Sequence, residues 1–204
     1  LSFVHAETST GALSDAQQLA KIAQSHGALT IVDAVTSLGG VPLLVDEWRL
    51  DAVYSGSQKC LSCVPGLSPL TFSSKAIEKI QQRTSPVQSW FLDLNLVMGY
   101  WGSNAKRSYH HTAPINSLYG LHEALVILAE EGLENAWARH YNNHLKLKAG
   151  LLELGLEFVV EEQYRLPQLN AITLNDSIDD AAVRTKLLRN HGIEVGGGLG
   201  VMAG

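Results

Sequence analysis

The chain has 204 residues, 46% of them hydrophobic, 17% charged and 7% aromatic, with a formal net charge of -5. That apolar share builds a packed core and excludes a disordered or collagen-like chain; mild acidity without long single-sign runs excludes an extended nucleic-acid footprint or a polybasic membrane surface. No stretch reaches the ~18 uninterrupted apolar residues of a membrane helix, and Cys60 and Cys63 are too few for a disulfide framework, which points to a reducing, intracellular compartment.

In chain order, Leu1-Ser2-Phe3-Val4 reads as a buried strand with no initiator methionine, so the N-terminus looks like an interior cut. Residues 14–26 place Ala16, Leu19, Ala20 and Ala23 at helical spacing, with Ser14 as the expected N-cap and Gly27 as the stop. Leu29-Thr30-Ile31-Val32 is an apolar strand ending on Asp33, and Asp51-Ala52-Val53-Tyr54 is a second, ending at Ser55-Gly56-Ser57. Residues 67–72 form a third, after which Ser73 caps a helix running toward Gln82. The stretch between the second and third strands holds no helix for a parallel crossover, so that pair is expected to be antiparallel.

Further on, Leu118, Leu121, Leu125 and Leu128 share one face of a helix over 115–131, and a long helix follows over about 134–154. Strands at 156–160 and 169–174, then a helix at 179–190, precede the glycine-rich Gly196-Gly197-Gly198-Leu199-Gly200 and the closing Val201-Met202-Ala203-Gly204. The expected fold is α/β, a mostly parallel sheet with one antiparallel strand. Residues 1–131 would belong to a large domain and 132–204 to a smaller α+β one.

In open α/β sheets ligands gather at the carboxyl ends of the strands. Asp33 and Lys59, opposite in charge, fall on successive strand ends there. The run before Asp33 implies a substantially buried carboxylate, which needs a cation or several hydrogen bonds. A structural Asp33–Lys59 pair is the alternative to a site. Ser55-Gly56-Ser57-Gln58-Lys59 is a small-residue loop that lets backbone approach a ligand closely. His5-Ala6-Glu7-Thr8-Ser9-Thr10-Gly11 and Thr36-Ser37-Leu38-Gly39-Gly40 bring hydroxyls and amides to the same edge, suited to an anionic ligand.

Taken in order, Asp33-Ala34-Val35-Thr36-Ser37-Leu38-Gly39-Gly40, Tyr54-Ser55-Gly56-Ser57-Gln58-Lys59 and Tyr109-His110-His111-Thr112 resemble the class V, fold-type I pyridoxal-phosphate aminotransferases. Within them the sequence is most similar to the alanine–glyoxylate and serine–pyruvate branch. The resemblance runs end to end and implies a three-layer large domain, with the chain as an internal portion of a longer enzyme. It implies pyridoxal 5'-phosphate as cofactor, held as a Schiff base by Lys59, which also shuttles the substrate proton. Asp33 would face the pyridine nitrogen, Val35 would pack on one ring face, and Thr8 would lie near the phenolic oxygen. Gln58 would bind the phosphate. Tyr109 and Thr112 would contact the phosphate of the neighbouring subunit, so a homodimer with shared sites is implied.

The implied reaction is ping-pong transfer of an amino group from alanine or serine to glyoxylate or pyruvate. Its partners are small amino acids and 2-oxo acids, with no nucleic acid and no membrane. The expected compartment is the cytoplasm, with peroxisome and mitochondrion as family alternatives. The family's phosphate loop and ring-stacking aromatic would lie before Leu1, and its substrate-carboxylate arginine beyond Gly204, so the chain alone is expected neither to bind cofactor normally nor to turn over.

Two rivals are weighed. A cysteine desulfurase needs a mobile cysteine loop, and Cys60 and Cys63 lie too near Lys59 to supply one. A non-catalytic binding domain is opposed by the presence of both Asp33 and Lys59. Other features read as structural. Cys60-Leu61-Ser62-Cys63 lacks the second pair of a zinc site and is read as packing. His110-His111 reads better as part of the phosphate edge than as a metal site. His140 and His144 are expected on a solvated helix face. His122-Glu123 lacks the second histidine of a zinc-protease motif, and the terminal glycines have no following helix. Trp48, Trp90, Trp101 and Trp137 default to core or interface.

Overall fold

The computed structural model describes residues 1–100 and 108–200. Trp101 and the closing Val201-Met202-Ala203-Gly204 lie outside the described residues. The elements are β1 (Ser2–Val4), β2 (Ala6–Glu7), β3 (Ala12–Leu13), α1 (Ala16–Ser25), β4 (Ile31–Asp33), β5 (Ala52–Tyr54), β6 (Leu70–Phe72) and α2 (Ser74–Gln81). There follow α3 (Leu94–Val97), a 3-10 turn at Met98–Tyr100, α4 (Ile115–Glu131), α5 (Leu133–Glu153), β7 (Glu157–Phe158), a second 3-10 turn at Glu162–Tyr164, β8 (Ile172–Thr173) and α6 (Asp180–His191).

The main sheet has four strands in the order β1-β4-β5-β6. β4 runs parallel to β1 and β5, and β6 is antiparallel to β5, as expected from the helix-free stretch before it. The third strand is shorter than its apolar run because Pro69 has no N–H for the ladder. The carbonyls of Leu67 and Pro69 still accept from Ser57 and Ser55, at 3.0 and 2.8 Å.

Residues alternate across a sheet, so Phe3, Val32 and Val53 fall on one face. Val32 and Val53 join Ala20, Ala34 and Leu50 in a buried cluster, with Phe3 and Trp48 packed against it. The spacing of Ala16, Ala20 and Ala23, all buried, gives α1 the narrow stripe that packs onto that face. Its N-cap is Asp15 rather than Ser14: the Asp15 carboxylate accepts from the Gln18 N–H at 2.9 Å. Ser14 is engaged elsewhere, its N–H extending the small hairpin to the His5 carbonyl at 2.8 Å.

The other sheet face carries Val4, Ile31, Tyr54 and Leu70, all exposed. This corrects the reading of β1 as a buried strand. It is an edge strand, and its alternate residues face outward. Asp33 shares that open face, the surface on which a third layer would pack.

Residues that follow the small β7–β8 pair's first strand return to the front of the chain. Leu166, fully buried, clusters with Ala6 and Val41, and its N–H donates to the Gly11 carbonyl at 2.8 Å. Gly11 has φ +77, and a Cβ there would lie 2.5 Å from the Leu169 carbonyl oxygen, so only glycine permits this approach.

His5, expected at the ligand edge, is instead 3% exposed and set edge-on to Trp48 at 5.9 Å. Burial pushes its imidazole down from 6.5 to about 4. The imidazole is neutral in both folded and unfolded chains above 6.5, where its contribution to stability is complete. As pH falls, the unfolded chain takes a proton that the folded one refuses, so stability is lost progressively toward about pH 4. At 1.36 kcal/mol per unit, about 2 kcal/mol disappears between pH 6.5 and about pH 5, before most carboxylates titrate. Urea unfolding across that window should show this slope, and His5→Leu should flatten it; equal slopes in both proteins would disprove the assignment.

Candidate active site

Asp33 closes β4, and in register opposite it on β5 stands Tyr54. The sheet fixes both side chains on the open face, and the Tyr54 hydroxyl donates to Asp33 Oδ2 at 2.8 Å. Oδ1 accepts from the Val35 N–H at 2.9 Å, which bends the chain out of the strand. The carboxylate is half-buried rather than deeply buried, because the face it occupies is open. Two neutral donors satisfy it, and no cation pairs with it among the described residues. The bond to Asp33 foremost, with burial, pushes the Tyr54 phenol above its usual range, so the hydroxyl stays a donor at neutral pH. Sequence reasoning does not single out Tyr54 as a site residue; the available signal is its place at the end of the adjacent parallel strand.

After β5 the hydroxyls of the small-residue loop turn inward. Ser55 Oγ donates to the Ala34 carbonyl at 3.0 Å and Ser57 Oγ to the Val64 carbonyl at 2.6 Å. These bonds anchor the loop and carry Gln58 and Lys59 out to its exposed crest. The Ser62 N–H closes the turn on the Lys59 carbonyl at 2.9 Å, with Ser62 at φ 56. A non-glycine residue there carries backbone strain of order 1 kcal/mol. Lys59 is exposed at that crest. No carboxylate pairs with it among the described residues, so the structural Asp33–Lys59 bridge is not formed.

The two turns are nevertheless joined. Cys60 Sγ donates to the Thr36 carbonyl at 3.6 Å, and burial pushes its thiol up, keeping the proton in place. Thr8 Oγ1 meets Thr36 Oγ1 at 2.5 Å. Thr8, Asp33, Val35, Gln58 and Lys59 therefore lie on three segments that converge through Thr36. Tyr109 and Thr112 are exposed and bond to each other, Oη to Oγ1, at 3.0 Å; no described hydrogen bond connects them to Asp33 or Lys59.

Between them, His110 is buried and packs on Trp90, ring centroids 4.0 Å apart and planes tilted by 55°. Its Nε2 lies 2.9 Å from the Trp90 carbonyl, and its Nδ1 lies 3.0 Å from His111 Nδ1. The Tyr100 hydroxyl accepts from the backbone N–H groups of His110 and His111 at 2.7 and 2.8 Å. These contacts hold the loop that carries Tyr109 and Thr112. His144 also corrects expectation: it is buried, with Nδ1 2.6 Å from Asn170 Oδ1, because the partner comes from a distant segment. No described cluster of His, Cys, Asp or Glu could hold a metal. Cys60 points toward Gly40 and Cys63 toward Gly120, so the two thiols serve separate packing sites.

Chemically, the edge offers an uncompensated carboxylate, an uncompensated primary amine and paired hydroxyls on turns tied to one another. That donor set fits a heteroaromatic group with a basic ring nitrogen, a carbonyl carbon open to an amine, and hydrogen-bonding substituents.

Residues 1–202 match the family described as aminotransferase class-V. The alanine–glyoxylate aminotransferase of Callithrix jacchus is 39% identical over 100% of this chain and 50% of its own length. The (S)-ureidoglycine–glyoxylate transaminase of Bacillus subtilis is 32% identical over 100% of this chain and 53% of its own length. A crystal structure of an alanine–glyoxylate aminotransferase from Nostoc sp. superposes with a TM-score of 0.93 at 52% identity, covering 100% of this chain and 54% of that one. The chain spans about half the length of the relatives it matches. No described helix is long and apolar enough to cross a membrane.

Proposed function

The chain belongs to the class-V aminotransferase family, and from that premise we propose that the intact protein transfers the amino group of a small amino acid, alanine or serine, to glyoxylate or pyruvate. The observation that carries the reading is the juxtaposition at one sheet edge: Asp33 and Lys59, each without a charge partner among the described residues, on turns joined by the Cys60–Thr36 bond. Family membership implies pyridoxal phosphate, which when bound supplies a sink for the electron pair left at the substrate Cα.

In this proposal Asp33 keeps a proton on the ring nitrogen, and its strand-end position means little reorganisation as charge develops. Lys59 Nζ is the attachment point and, once displaced by the substrate amine, moves the proton from Cα. Val35 walls one ring face, Thr8 bonds the phenolic oxygen and Gln58 the phosphate. Tyr109 and Thr112, exposed and unconnected to this chain's own Asp33, act across a homodimer interface on the second copy's phosphate. Residues 1–131 supply the cofactor-binding part and 132–204 the smaller part.

Glyoxylate is proposed as the principal acceptor because both relatives compared are named for it. With the intact protein, alanine and glyoxylate should yield pyruvate and glycine in equal amounts. Each donor should also convert the cofactor to its amino form in the absence of acceptor, as a ping-pong cycle requires. No amino transfer from alanine, serine or any other amino acid would refute the proposal.

A further inference from the structure

Thr36 is a junction: its hydroxyl meets Thr8, and its carbonyl, which has two lone pairs, receives a second donor besides Cys60. That donor is Gln168 Nε2, at 2.9 Å, from a segment 132 positions along the chain. The segment is held independently, by the fully buried Leu166 and its bond to Gly11. Cys60 Sγ and Gln168 Nε2 thus share one acceptor, the Thr36 carbonyl. Both crowd over the bare Cα of Gly40, where a Cβ would fall 2.4 Å from Nε2 and 2.7 Å from Sγ. Glycine at that position leaves the room the amide and thiol occupy.

An apolar side chain would fill this space without leaving a polar atom stranded. Gln168 instead buries its Oε1 without a partner, an arrangement that costs free energy unless the bond made by Nε2 matters. We propose that Gln168 is a positioning residue: its amide clamps the turn carrying Asp33 and Val35 to the turn carrying Lys59. It ties both to the 165–169 segment, so the geometry of the site depends on a residue far from its chemistry. The clamp rests on the site reading above for its catalytic meaning, and on geometry alone for its existence.

The test uses the intact protein with Cys63→Ser, so that Cys60 is the thiol followed, and compares Gln168 with Gln168→Met, which keeps length and volume but removes the donor. Without cofactor, a thiol reagent such as dithionitrobenzoate should label Cys60 about tenfold faster in the methionine variant, the order expected for losing one hydrogen bond. Pyridoxal phosphate should bind about tenfold more weakly. At saturation, the circular dichroism of the lysine-bound cofactor should change, since it reports tilt between Asp33 and Lys59; a general loss of stability would leave it unmoved. Unchanged labelling would overturn the clamp, and faster labelling with unchanged affinity and dichroism would overturn its positioning role. If the parent protein takes up no pyridoxal phosphate, the functional reading fails, and the clamp is then decided by the labelling rate.

Discussion

Replacing Lys59 with alanine in the intact protein should lower transamination by about four orders of magnitude and leave the fold in place. The reason lies in how little structure the side chain supports. Lys59 sits exposed on the crest of its turn and makes no ion pair among the described residues. Its one described hydrogen bond uses the backbone carbonyl, which accepts from Ser62 and survives the substitution. Ser55 and Ser57, whose inward bonds hold the loop, are untouched. The loss is chemical, removing both the attachment point and the base that takes the Cα proton. Borohydride treatment after loading with pyridoxal phosphate should leave a pyridoxyl group on Lys59 in the parent and none in the variant. The melting temperatures should agree within about 2 °C, as surface substitutions away from packed features do. Turnover within tenfold of the parent, or a pyridoxyl group at another lysine, would remove Lys59 from its proposed role. It would also revive the non-catalytic rival.

Much of this arrangement is legible in the sequence because it follows from local rules. The antiparallel β5–β6 pair follows from a short stretch that holds no crossover helix. The four leucines of α4 follow from helical spacing, and Leu118, Leu121, Leu125 and Leu128 do line one groove, of about 400 Å³, with Leu38, Leu61 and Leu67. What escapes depends on residues distant in sequence. His144 looks solvated from its polar neighbours, yet Asn170 and Phe158 arrive from another segment to bury it. The hairpin of β2 and β3 has two-residue strands, below any periodicity. Tyr54 and Gln168 carry no local signal of their contacts: one needs the sheet register, the other the docking of 165–169 on Gly11 and Gly40. Site chemistry is legible where a charged residue follows an apolar run, as Asp33 does, and opaque where the contact needs the sheet register or a remote chain segment.

The same register makes Asp33→Asn the sharper probe of mechanism, since it changes charge and almost nothing else. The introduced asparagine is the same size, and its amide oxygen can still accept from the Val35 N–H that holds the turn at 2.9 Å in the parent. Its NH₂ group faces the Tyr54 hydroxyl, which can turn from donor to acceptor. The fold should therefore persist, with unfolding shifted by no more than about 1 kcal/mol, the worth of one exchanged hydrogen bond. The negative charge is gone, however, and with it the means of keeping a proton on the ring nitrogen as electrons flow from Cα. The half-reaction with alanine should slow by about 10²- to 10³-fold, comparable to losing one preorganised electrostatic contact, and cofactor should be retained less tightly. Tyr54→Phe supplies the control: it removes one neutral donor but leaves the carboxylate charged, so its half-reaction should fall by about tenfold or less. Stopped-flow absorbance on the loaded enzymes measures both. If the two variants slow the reaction equally, the hydrogen-bonded geometry rather than the charge of Asp33 is what the site uses, and its assignment opposite the ring nitrogen is wrong.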